Sequence, residues 1–177
     1  MKIRYLIFFV VAFAAGIVIF FARPVVSPQK LSAQIYSSTQ APFTFQPPEG
    51  WIVDDHGTNG TLVIFVNPTQ DREGDFRLSA SINILSEPLQ GLSQEEYIRT
   101  SEKNLMQFHK DYRITSDEGH IFEARFISEG HLIRNRQLFV FTEDTAYIIT
   151  GSSLEAQWDA YKQVIQDSLE TFAIVAK

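Results

Sequence analysis

Asp54-Asp55-His56 is the densest group of possible metal ligands in this 177-residue chain. Carboxylates and imidazole suit zinc and related ions, but such sites need three or four converging donors. Neighbouring residues on a strand point to opposite faces, so at most two of the three converge. The group also directly precedes a turn, where Asp and His are ordinary solvated residues. Asp71, Glu73 and Asp75 alternate as ligands do in calcium loops. Gly74 falls between these acids rather than after them, and the twelfth position counted from Asp71 is Ile82, not a bidentate glutamate. His109, His120 and His131 recur every eleven residues, at a helix end, in a strand and after a turn, on no common face. His120 and Glu123, three apart in a strand, face opposite ways and are no acid–base pair. No serine sits in a Gly-x-Ser-x-Gly elbow, and no glycine-rich loop precedes a helix. With no cysteine, thiol nucleophiles, thiolate metal sites and disulfides are excluded. These residues assign no catalytic, cofactor-binding or metal-binding position, and the chain reads as a binding or accessory protein, not an enzyme. The competing reading, a metal-dependent enzyme or small-ligand-binding domain, needs a pocket in which Asp54, His56 and a third ligand meet.

The elements that would position these groups centre on residues 134–172. Leu138-Phe139-Val140-Phe141 and Ala146-Tyr147-Ile148-Ile149 are apolar at every position, the pattern of strands covered on both faces. Thr142 to Thr145 forms a polar turn between them. Gly151 is expected to end the second strand, with Ser152 and Glu155 as a capping box opening a helix. Leu154, Trp158, Tyr161, Ile165, Leu169 and Phe172 then lie on one helical stripe. Upstream, Phe43 to Phe45 and residues 51–55 read as strands. Asn59-Gly60 is a hairpin turn, and Leu62 to Val66 is a strand stopped by Asn67-Pro68, followed by an acidic loop to Asp75. Residues 76–84 alternate as a half-buried strand. Ser93 and Glu96 form a second capping box, opening a helix to His109 with Tyr97, Leu105 and Phe108 as its apolar stripe. Two further strands, near 112–118 and 120–128, precede a Glu129-Gly130 turn. The expected fold is α+β, an α/β/α sandwich whose mainly antiparallel central sheet carries one helix layer on each face.

Ahead of this domain, Lys2 and Arg4 precede eighteen uncharged residues, Tyr5 to Ala22. As a helix the run would span about 27 Å, close to the roughly 30 Å of a bilayer's hydrocarbon core. Phe20 and Arg23 disfavour signal-peptide cleavage after Ala22. Residues 1–23 therefore read as a signal anchor, a transmembrane helix through residues 5–22. The basic amino end places the N-terminus in the cytoplasm and residues 43–177 outside it, whether periplasmic, cell-surface or lumenal. Residues 24–42, with three prolines, read as a flexible linker.

Charge narrows the partner. The net charge is −6, but residues 1–41 hold four basic residues and no acidic one, so residues 42–177 carry 11 basic against 21 acidic. Such a domain is repelled by phosphate backbones, which excludes nucleic acid. The partners expected are the membrane through residues 5–22 and an unidentified protein.

The domain resembles the PsbP-like superfamily in three stretches: Phe45-Gln46-Pro47-Pro48-Glu49-Gly50-Trp51; Ile82-Asn83-Ile84; and Ala146 to Ser153 with Trp158, Tyr161 and Ser168 to Phe172. The superfamily includes the extrinsic PsbP proteins of photosystem II and their bacterial relatives. The resemblance covers residues 43–174 and implies the same α/β/α sandwich, a non-enzymatic accessory or binding role, and, as one alternative, a photosystem II accessory or assembly factor. The basic docking segments of plant PsbP have no matching residues here, and none of the family's metal ligands carries over.

Overall fold

The computed structural model describes residues 29–57 and 60–175. Among these, no helix is long and apolar enough to cross a membrane; the expected anchor, residues 5–22, lies outside them. The described chain is α+β, with ten strands and two helices. A small sheet joins β1 (Tyr36–Ser37), β2 (Phe43–Phe45) and β10 (Ala173–Ile174). The large sheet contains β3 (Ile52–Asp54), β4 (Val63–Glu73), β5 (Phe76–Pro88), β6 (Lys110–Asp117), β7 (Ile121–Ser128), β8 (His131–Phe141) and β9 (Thr145–Leu154), in the spatial order β3-β4-β5-β9-β8-β7-β6. Every neighbouring pair is antiparallel. Helices α1 (Gln94–Phe108) and α2 (Trp158–Glu170) complete the set.

The doubly apolar strands behave as their composition requires. Tyr147 and Ile149 of β9 join one core with Trp158, Tyr161, Ile165 and Leu169 of α2. Ala146 and Ile148, on the opposite side of the same strand, join a second core with Tyr97 and Leu105 of α1. The Ser93–Glu96 capping box forms, with Ser93 N–H donating to Glu96 Oε2 at 2.9 Å and Glu96 N–H to Ser93 Oγ at 3.3 Å.

Four local expectations are corrected. β9 does not end at Gly151 but runs on to Leu154, paired with β5 and β8. A Cβ at Gly151 would stand 2.2 Å from Ile165 Cγ2, so glycine is there to let α2 lie flush on the strand. No Ser152–Glu155 cap exists: a 3₁₀ turn, Glu155–Gln157, leads into α2 without a side-chain cap, and Glu155 binds Arg134 instead. Asn67-Pro68 does not stop β4. The register shifts between Val66 and Gln70, a bulge that tolerates a residue without an N–H, and the strand continues to Glu73. Finally, Phe108 is 69% exposed and not on the stripe of α1, whose buried residues are Tyr97, Ser101 and Leu105. The helix ends at Phe108, and the His109 ring packs on Phe126 at 4.2 Å. Burial lowers the pKa of His109, so it is a neutral packing group rather than a cation at the helix end.

Within the expected linker, residues 29–42 run along the domain. Leu31 bridges to Pro48, Ser32 N–H donates to Pro47 O at 2.8 Å, and β1 pairs with β2.

Candidate functional site

The sheet brings three arginines into line. Arg113 on β6 lies opposite Arg125 on β7, which lies opposite Arg134 on β8. Register partners share a face, and this is the face of α2, since the Arg134 guanidinium sits 5.5 Å from the centre of the Trp158 ring. One rung along, Ser116, Glu123 and Arg136 are likewise aligned. α2 packs over β9 and β8. Beyond it, on β6 and β7, Arg113 is exposed and Arg125 half-buried, and neither has a carboxylate partner among the described residues.

Next to this open row lies a buried charge cluster. Glu123 accepts from Arg134 Nη2 and Arg136 Nη1, both at 2.9 Å, with Lys162 Nζ 3.6 Å away. Arg134 Nη1 reaches Glu155 Oε1 at 3.3 Å, and Arg136 Nη2 lies 3.7 Å from Glu118 Oε2. The side chains of Glu123 and Arg136 are only 4% and 8% exposed. Burial pushes the Glu123 carboxyl up, but hydrogen bonds from Arg136 and Arg134, with the charge of Lys162 behind them, outweigh it and hold it below the usual carboxylate range. A carboxylate so held is a poor proton acceptor at neutral pH, so the cluster orients guanidiniums rather than moving protons. Trp158 Nε1, Arg134 Nε and Glu155 Oε2 are buried here without a hydrogen-bond partner among the described residues. Counting the row, five cations meet three carboxylates: a positive region on an acidic domain.

The groups singled out from the sequence go elsewhere. Asp54 Oδ1 accepts from the His56 N–H at 3.1 Å and lies 3.1 Å from His56 Nδ1, while Asp55 Oδ2 accepts from Tyr36 Oη at 3.4 Å. Asp71 Oδ1 accepts from Tyr161 Oη at 3.0 Å, Glu73 Oε2 lies 2.9 Å from His131 Nδ1, and Asp75 is exposed. His109 packs on Phe126, the His120 ring meets Phe141 edge-on, and His131 stacks on Phe76 at 4.0 Å. Among the described residues, no three His, Asp or Glu side chains gather to hold a metal. Two carboxyl–tyrosine pairs tie the helices to the sheet. Burial raises the Asp71 carboxyl, bound by Tyr161 of α2, and the Glu87 carboxyl, which accepts from Tyr97 Oη of α1 at 2.6 Å.

Sequence reasoning missed the arginine row, although a signal was present. Antiparallel register reflects residues across the intervening turn. Reflecting Arg113 across Gly119 gives Arg125, and reflecting Arg125 across Glu129-Gly130 gives Arg134.

No protein-family model matches the chain, and no curated protein matches it. Solved structures do. A protein of unknown function from Pseudomonas aeruginosa, PA94, described as a putative regulator, is 17% identical with a TM-score of 0.55, over 81% of this chain and 98% of that one. LpqN of Mycobacterium tuberculosis, described as involved in cell envelope biogenesis, is 8% identical with a TM-score of 0.54, over 76% of this chain and 83% of its own. The solution structure of cyanobacterial PsbP from Synechocystis sp. PCC 6803 is 15% identical with a TM-score of 0.49, over 87% of this chain and 98% of that one. At these identities the likeness is one of fold alone.

Proposed function

We propose that this chain is a membrane-anchored, extracytoplasmic binding or accessory module, non-enzymatic, that engages a membrane or envelope protein complex through an acidic surface of its partner. In this reading residues 5–22 cross the membrane with the N-terminus in the cytoplasm, and an α/β/α domain stands outside. The observation that carries it is the row Arg113–Arg125–Arg134, in which two guanidiniums have no carboxylate partner among the described residues and lie on β6 and β7, beyond the part of that face over which α2 packs. Guanidinium pairs bidentately with carboxylate, so such a row suits an acidic protein segment better than a neutral one. The LpqN likeness adds support from the cell envelope, by analogy of fold.

The test is affinity capture with the full chain from detergent-solubilised source membranes, comparing the parent with the Arg113→Ser/Arg125→Ser double variant. The expected result is a partner lost from the double variant while both proteins unfold at the same temperature. Equal capture by both removes the row from the function. Release of the protein from membranes by high salt alone, without detergent, would remove the anchor.

A further inference from the structure

The described chain starts at Gln29, against one edge of the large sheet. Gln29 Oε1 accepts from Trp51 Nε1 at 2.9 Å, Lys30 O accepts from the Glu49 N–H at 2.8 Å, and Trp51 leads directly into β3. β3 is the end strand of the sheet, so its outer side pairs with no strand among the described residues. β3 carries Ile52 and Val53, 54% and 44% exposed and on opposite faces of the strand, and Ile35 is 64% exposed. Ile35 precedes Tyr36, whose ring meets that of Phe65, the register partner of Val53, at 5.3 Å.

The length of chain between the anchor and Gln29 limits what can touch the bilayer. This step rests on the anchor reading of residues 5–22. Six residues separate Ala22 from Gln29. Fully extended, they reach about 24 Å at most, of which the headgroup layer takes about 5–7 Å. Seven strands about 4.8 Å apart make the sheet about 29 Å wide. The remaining reach is shorter than that width. The β3 edge can therefore rest on the bilayer, whereas the β6 edge, with exposed Phe108 beside it, cannot do so while β3 points away.

We propose that the β3 edge, with Ile35, Ile52 and Val53, is the surface this domain lays on the bilayer, and that its occupant is the interface of zwitterionic phospholipid. Apolar side chains enter the boundary between headgroups and acyl chains, while Asp54 and Asp55, next in the chain, oppose an anionic surface. The contact also covers an apolar sheet edge that would otherwise template pairing with another chain. It leaves the arginine row, at the far end of the sheet, directed away from the lipid toward a protein partner.

The chain has no cysteine, so single labels can be placed cleanly. Full-length protein carrying a nitroxide at Val53→Cys, Ile35→Cys or Phe108→Cys is reconstituted in phosphatidylcholine vesicles, and the collision of each label with oxygen and with a water-soluble relaxant is measured. Ile35 lies outside any strand, so its variant puts no pairing at stake. The expected result is a several-fold higher oxygen-to-water accessibility ratio at residues 35 and 53 than at residue 108. Equal, water-like ratios in protein that still floats with the vesicles overturn the orientation and leave the anchor standing. Spin–spin broadening at residue 53 makes a second copy the occupant and also overturns it. Failure to float with the vesicles removes the anchor reading and the orientation with it.

Discussion

Arg125 on β7 lies directly opposite Arg113 on β6, on one face of the sheet, and neither guanidinium has a carboxylate partner among the described residues. Like charges in this position work against the fold by roughly 0.2–1 kcal/mol. Arg125→Thr should leave stability unchanged or raise it within that range, as read by chemical denaturation, while weakening capture of the protein partner. A variant that loses both stability and capture would make the row a structural device.

Glu123→Gln removes the one carboxylate shared by Arg134 and Arg136 and leaves the buried Arg136 guanidinium with only the exposed Glu118 carboxylate, 3.7 Å away. Breaking a buried pair in this way costs about 3–5 kcal/mol. The Glu123 pKa is depressed, so its contribution is present above the unfolded carboxylate value and is lost as pH falls through the folded one. The gap between parent and variant should be full at neutral pH and close in acid. Denaturation midpoints across a pH series check this.

Asp71 has the opposite sign. Its pKa is raised by burial, so its contribution is full below the unfolded value and lost as pH rises through the folded one. At neutral pH the buried charge is a cost. Asp71→Asn keeps an oxygen for Tyr161 Oη to donate to and should be more stable than the parent at neutral pH, by no more than about 1 kcal/mol given partial solvent screening. In acid, where the parent carboxyl is protonated, the advantage should vanish. Paired thermal melts near pH 7 and pH 3 provide the comparison.

Gly151→Ala places a Cβ 2.2 Å from Ile165 Cγ2. Overpacking of this kind costs about 1–3 kcal/mol, and Ile165→Ala alone, a buried truncation, about 2–5 kcal/mol. Because the second change removes the atom the first collides with, the double variant should cost less than the two combined. Additive losses in that cycle would mean that α2 shifts to avoid the clash.

What was legible in the sequence was whatever depended on local pattern. Residues 138–141 and 146–149 are apolar at every position and end up with side chains in two cores. Ser93 and Glu96 cap α1 because both partners sit within one helical turn. The misreadings came where a distant element decided. Glu155 has the spacing of a capping residue, but Arg134, 21 residues back, takes its carboxylate. Gly151 looks like a strand end until Ile165 is seen above it. Phe108 has helical spacing, yet the chain turns at His109 and gives that ring the place on Phe126. The arginine row depends on the register of three strands, which no single stretch displays.

The strand order has a consequence for how the chain is made. β5 and β8 are both inner strands, and the element between them, β9, is the last strand of the large sheet to be synthesised. Ser81 waits for Ser152 to arrive before its pairing can form. Until Thr145–Leu154 has emerged, the chain holds two half-sheets, β3-β4-β5 and β6-β7-β8, each with an apolar inner edge open to other chains. Closing so distant a pairing is slow. A chain stopped before Thr145 is therefore not a shortened domain but two aggregation-prone half-sheets on one chain, and during biosynthesis those edges need shielding until Leu154 is out.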